Sequence, residues 1–176
     1  MLKRVFLSVA FTSLLLIVGT TSGFAQNLLT NGNFSGGLSG WTSATTGSST
    51  VTLSTGFANP PLVGNSALLR AIGIVGDSAA ISQGITVTAG STYRLTIGSL
   101  ANRSSGLTFE VKISDGTTDI TNSLPINNPS VGDNILDIPI PGGFSSSATF
   151  TLKVTTTIGT PSRQVNVDNV ELVVLN

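Results

Sequence analysis

From Leu107 to Ser114 the side chains alternate, with Leu107, Phe109, Val111 and Ile113 on one face and Thr108, Glu110 and Lys112 on the other. A helix would scatter these residues around its axis. A strand sorts them, one face onto a core and the other into water. Tyr93–Ile97 and Phe150–Val154 alternate in the same way. Ile81–Val87 ends at a turn, Ala89-Gly90, and passes to the Tyr93 strand as a hairpin, while Asp115-Gly116 marks a second tight turn. Further strands are expected near residues 50–53, 67–72, 135–140 and 165–174. Beyond the first 25 residues no stretch carries helical periodicity. Short antiparallel strands in this number must close as a sandwich or a barrel, so an all-β fold is predicted.

Residues 1–25 stand apart from that pattern. Lys3 and Arg4 precede an apolar run from Val5 to Val18, and Gly23-Phe24-Ala25 supplies the small residues of a cleavage site. This is the form of a secretory signal peptide, with cleavage expected before Gln26. The run is shorter than the ~20 residues a spanning helix needs. No Cys follows it, which excludes a lipid-anchored lipoprotein. Residues 26–176 then form one domain of a size that buries a single core. Phe57 to Asn65, with Pro60-Pro61, and Asn122 to Asn134, with Pro125 and Pro129, break the alternation and read as loops. Each either crosses between sheets or lines a rim.

Composition removes several functions. Without Lys3 and Arg4, six basic residues face eight acidic ones, a formal charge of −2, which offers nothing to nucleic acid or anionic lipid. With no His, neither a Ser–His–Asp triad nor a His-ligated zinc is available. A glycosidase needs two carboxylates roughly 5–10 Å apart. Glu110 with Asp133 or Asp137 could supply them, but the spacing does not demand it, and the chain reads as a non-enzyme. With no Cys, an exported domain must rely on its core, with or without a bound ion. Few charges and many Thr, Ser, Gly and Asn suit a bacterial extracellular protein.

The first and last stretches of the mature chain are its most specific motifs. Asn31-Gly32-Asn33-Phe34 followed by Gly40-Trp41-Thr42 resembles the opening of the galactose-binding-like jelly rolls, notably carbohydrate-binding modules of the cellulase C type. Ser82-Gln83 through Gly90, ahead of Tyr93–Ile97, resembles the middle strands of that family, and Val167-Asp168-Asn169-Val170-Glu171-Leu172 its last strand. The resemblance implies an antiparallel jelly-roll β-sandwich of about eight strands or more. It also implies one structural calcium, held by Asp168 and by the residue after Phe34. That residue is commonly acidic in the family and is Ser35 here, so the site would carry less charge. The alternative is that Asp168 bonds backbone N–H groups of the opening segment and staples the chain ends. Val165 and Val167 alternate in one phase, and Val170, Leu172 and Val174 in the other, so a bulge or kink is expected at Asp168-Asn169.

Two functions fit this fold. One is a secreted non-catalytic carbohydrate-binding module that recognises a polysaccharide or surface glycan. The other is a structural or adhesive surface or matrix protein that associates with itself or another surface protein through strand edges. Sugar sites pair an exposed aromatic face with polar side chains. Trp41 and Tyr93 are expected in the core, Tyr93 because it alternates in phase with Leu95 and Ile97. The outward positions are Arg94, Thr96, Glu110, Lys112, Thr151, Lys153 and Asn166, none of them aromatic. Phe57 and Phe144 lie in loops, so the candidate ligand-binding residues are Arg94, Glu110, Lys112, Phe57 and Phe144.

Overall fold

The computed structural model describes residues 26–55, 64–102, 106–124, 130–159 and 163–175. Every regular element among them is a strand: β1 (Thr42–Thr45), β2 (Thr50–Thr55), β3 (Asn65–Ala71), β4 (Ser78–Thr86), β5 (Thr92–Asn102), β6 (Leu107–Ser114), β7 (Asp119–Leu124), β8 (Ser130–Pro139), β9 (Ser147–Thr156) and β10 (Arg163–Leu175). They form two five-stranded sheets, sheet I in the order β1-β4-β9-β6-β7 and sheet II in the order β2-β3-β10-β5-β8. All pairings are antiparallel. The chain passes repeatedly from one sheet to the other, which is the jelly roll expected. Among the described residues no helix is long and apolar enough to cross a membrane.

The alternation sets the core. Phe109, Val111, Ile113, Phe150, Leu152 and Val154 point inward from sheet I onto Leu69, Leu95, Ile97, Val165, Val167 and Leu172 of sheet II, all fully buried. Each such side chain contributes about 1.5–3 kcal/mol relative to exposure. Tyr93 is buried with them, and its hydroxyl accepts the Thr88 N–H at 2.8 Å. Trp41 is 8 % exposed and packs on Phe34 and Phe150.

Two strands escaped the alternation. β1 is exposed along its whole length, and β7, inside part of the stretch read as a loop, keeps only Ile120 and Leu124 against the core. β8 likewise begins within that stretch, at Ser130. Edge strands made of Thr, Ser, Asn and Asp have too few apolar side chains to betray their period.

The phase change in β10 is a kink. Asn169 takes a left-handed φ of 52°, and the register with β5 is the same on either side, Asp168 facing Ser99 and Val170 facing Ile97. One left-handed residue inverts the face taken by those that follow, and Asn tolerates that conformation better than most residues. The irregularity in pairing sits one strand further on, between β5 and β8 at Ile97/Ser99.

The kink also marks a change of neighbour. β3 pairs with β10 only as far as Val167, after which the opening segment takes its place. Val170 N donates to Gly32 O at 3.0 Å and Leu28 N to Leu172 O at 2.8 Å. Asn27 Oδ1 accepts from Leu172 N at 2.8 Å and from Leu29 N at 3.0 Å. The chain ends therefore meet, and backbone groups with Asn27 join them. Gln83 adds a second tie, accepting from Thr30 N at 2.9 Å and donating to Thr30 O at 2.8 Å. The opening motif winds around Asn31, at a left-handed φ of 53°, whose side chain donates to Gly37 O and Ser39 O and accepts from Gly36 N.

Candidate functional site

The expected ligand-binding residues do not converge. Glu110 and Lys112 stand on the outer face of sheet I, whereas Arg94 stands on β5, on the outer face of sheet II. Alternation assigns each residue an outward direction but not a sheet, and these two faces look away from each other. Arg94 is moreover engaged, forking onto both oxygens of Asp137 at 2.8 Å and holding that carboxyl below the usual range. Phe144 is a correction. Its N–H bonds to Pro141 O in a turn that folds the β8–β9 loop back, leaving the ring only 5 % exposed in the core. Asn166 is a second correction, since it is fully buried and donates to Ser66 Oγ at 3.0 Å. Phe57 lies outside the described residues. Glu110 cannot face Asp137 as an acid–base pair, because β6 and β8 belong to opposite sheets, and the Asp133 side chain lies outside the described residues.

Sheet II spends its polar side chains internally. Beyond Arg94–Asp137 and Asn166–Ser66, Arg70 Nη2 donates to Gln164 Oε1 at 3.1 Å. The outer face of sheet I differs. One row across it runs Ala44, Ala80, Lys153, Glu110, Ser123, and the next runs Thr42, Ser82, Thr151, Lys112, Thr121. With strands ~4.8 Å apart, each row spans roughly 19 Å. Glu110 and Lys153 sit opposite one another, half-buried, and neither side chain takes part in a hydrogen bond or ion pair. Lys112 is tied to Asp119 at 3.3 Å. Small hydroxyl residues surround the three charges and leave the face low.

A depression of about 360 Å³ continues this face toward the β6–β7 turn, lined by Lys112, Ser114, Asp115, Ser147, Thr149 and Thr151. Its wall is rigid. Asp115 accepts from Ser145 N, Thr118 N, and both the hydroxyl and N–H of Thr117, so these donors hold its carboxyl far below the usual range. That carboxylate ties the β6–β7 turn to the β8–β9 loop. Among the described residues every aromatic ring is buried: Phe34, Trp41, Tyr93, Phe109, Phe144 and Phe150. What this face offers a ligand is charge and hydroxyl groups on a flat sheet.

The calcium expectation rests on Asp168 and Ser35, and the donors at hand do not fit it. Asp168 is 3 % exposed, and its Oδ1 accepts from Asn169 N at 2.8 Å. It makes no bond to the opening segment. Ser35 is exposed, and its N–H bonds to Asn33 Oδ1. The carbonyl of Phe34 is taken by Asn65 Nδ2 at 3.2 Å. Calcium requires six to eight oxygens, with carboxylates among them. No group of three or more acidic, His or Cys residues occurs among the described residues.

Burial raises the Asp168 carboxyl above its usual range, opposed by the smaller effect of the Asn169 N–H. A carboxyl whose folded pKa is raised binds protons more tightly in the native state. Its ionisation therefore costs stability as pH rises from the ordinary carboxylate range through the raised folded pKa. Asp168→Asn is expected to melt higher than the parent at pH 7, with the gap closing as pH falls toward 4. The unpartnered Oδ1 of Asn166, two residues back on the same face, can accept the new amide. Melting curves from pH 4 to 8, with and without calcium, check this. A variant less stable than the parent at neutral pH, or a parent stabilised by calcium, overturns it.

No protein-family model matches this chain, and no curated protein does. Solved structures do. TmCBM61 in complex with β-1,4-galactotriose superposes with a TM-score of 0.62 at 18 % identity, over 84 % of this chain and 98 % of that one. The module "Family 16 Carbohydrate Binding Module-2" gives 0.61 at 19 %, over 84 % and 99 %. The fold they share with this chain is a jelly-roll β-sandwich. A Stig cyclase from Fischerella sp. TAU shares this jelly roll, with a TM-score of 0.64 at 15 % identity over 86 % and 98 %. So does the enzymatically active domain of bacteriophage CBA120 tailspike protein 4, at 0.62 and 21 %, of which this chain spans 21 %. The jelly roll accordingly hosts binders and catalysts alike, and the outer face of sheet I has to carry the functional argument.

Lys153, opposite Glu110, was visible as outward in Phe150–Val154 but did not stand out, because its partner lies 43 residues away in sequence. Asn27 carries no such signal. A polar residue at a core-phase position is the one pattern that points to Gln83.

Proposed function

We propose that this chain is an exported, non-catalytic carbohydrate binder that takes a polysaccharide or surface glycan along the outer face of sheet I. The supporting observation is the open row of hydrogen-bonding groups across that face, with Glu110 and Lys153 unengaged at its centre. Sugar hydroxyls both donate and accept, so adjacent carboxylate and ammonium groups ringed by Ser and Thr match them. The end-to-end likeness to a module solved with galactotriose supports the same class of ligand. The signal peptide read in residues 1–25 delivers the domain to where such glycans occur.

Glycan-array screening followed by titration calorimetry tests this reading. Glu110→Ala and Lys153→Ala are each expected to weaken binding about tenfold or more, the worth of a charge-assisted hydrogen bond. Arg94→Ala, on the opposite face, is expected to leave affinity unchanged. Equal losses from Arg94→Ala, or release of reducing ends from the bound glycan, would reject the proposal.

A further inference from the structure

Sheets end in edges, and this sandwich protects three of its four. β8 carries Asp137, ends in Pro139 and is bulged against β5. β7 opens with Asp119, paired to Lys112, and β1 is only four residues long. Charge, proline, bulges and brevity are the usual means of stopping strands from pairing with strangers. β2 has none of them. Its sequence, Thr50-Val-Thr-Leu-Ser-Thr55, is uncharged and free of Pro, and among the described residues its one hydrogen-bonded strand neighbour is β3. Thr50, Thr52, Leu53 and Thr55 are exposed, Leu53 at 37 %.

We propose that β2 pairs antiparallel with β2 of a second copy of this chain, about a two-fold axis through Thr52, so that the two copies of sheet II become one continuous sheet. The register singles out this occupant. In an antiparallel pair, opposed residues share a face, and a two-fold axis through a residue keeps each pair on one face. With the axis at Thr52, Val51 faces Leu53 of the second copy on the core side, and Leu53 faces Val51. On the outer side Thr52 faces Thr52, and Thr50 faces Ser54. Val51 and Leu53 lie opposite the core residues Leu69 and Ala67 of β3, at the margin of the hydrophobic interior. The second copy would cover that margin with the same two side chains. The outer pairs are all hydroxyl on hydroxyl, a favourable cross-strand combination. This inference does not depend on the glycan reading, since β2 lies in sheet II, away from the Glu110 face.

The test is the mass of the processed protein in solution, by sedimentation velocity across concentration. A species of twice the monomer mass is expected for the parent. Thr52→Lys places two like charges face to face on the axis, and so does Thr52→Glu. Each alone is expected to weaken self-association at least tenfold, while an equimolar mixture of the two restores the dimer. The chain has no Cys, so single cysteines report cleanly. Thr52→Cys is expected to crosslink to itself under mild oxidation. Thr50→Cys is not, because its counterpart lies well beyond the ~7 Å that a disulfide can bridge. A parent that stays monomeric up to about 1 mM overturns the proposal. A Thr52→Lys dimer as tight as the parent, a mixture that fails to associate, or Thr50→Cys crosslinking as readily as Thr52→Cys does so as well.

Discussion

Gly32→Ala is expected to loosen the opening segment from the last strand and lower the melting temperature by roughly 6–12 °C. A Cβ at Gly32 would stand 2.0 Å from the carbonyl oxygen of Val170 and 3.0 Å from its carbon. Both atoms are backbone, so no side chain can swing aside. The residue cannot retreat either, because Gly32 O accepts the Val170 N–H at 3.0 Å and that bond closes the jelly roll. Relief means parting the two segments, which also costs Val170 its backbone partner. Overpacking of this kind costs about 3 kcal/mol, the upper end of its usual range. For a domain of this size each kcal/mol is worth roughly 2–4 °C. Gly84→Ala is the control, since nothing lies within 4 Å of its Cβ position. Calorimetry on both variants decides the matter, and equal melting temperatures would show that the chain ends contribute little to closure.

The contrast between Gly32 and the expected role of Asp168 shows where sequence reasoning reached and where it stopped. Alternation placed Leu95, Phe109 and Phe150 in the core because each lies in a run whose neighbours repeat the pattern. It also placed the phase change at Asp168-Asn169, where the left-handed Asn169 sits. It could not say what closes the ends, since the work is done by backbone carbonyls and by the amides of Asn27 and Gln83, which carry no period. The site was legible only by halves. Arg94, Glu110 and Lys112 all face outward, but membership of sheet I or sheet II is decided by pairings between residues far apart in the chain. Asn166 shows the same limit, for an outward phase does not guarantee exposure, and this side chain is buried and bonded to Ser66 of the adjacent strand.

Trp41→Ala is expected to cost about 3–5 kcal/mol, as other large aromatic truncations in cores do. The indole joins the opening motif to β9. Its ring centre lies 5.6 Å from Phe34 of the opening motif and 6.3 Å from Phe150 of β9, and its Nε1 donates to Asn31 O at 3.2 Å. Removing it opens a cavity between the opening motif and sheet I. Trp41→Phe separates the contributions. It keeps most of the packing and gives up one hydrogen bond, a loss of about 1 kcal/mol, because Asn31 O still receives the Phe34 N–H at 3.1 Å. Thermal unfolding of the parent and both variants followed by circular dichroism, since neither variant keeps the sole Trp, measures both steps. Glycan titration well below the melting point then distinguishes a structural ring from a binding one. A buried Trp41 predicts unchanged affinity in Trp41→Phe and a lowered melting temperature in Trp41→Ala. Should Trp41→Ala melt with the parent and lose its glycan, the ring would be a stacking platform, and the polar face of sheet I would have to give up its place as the binding site.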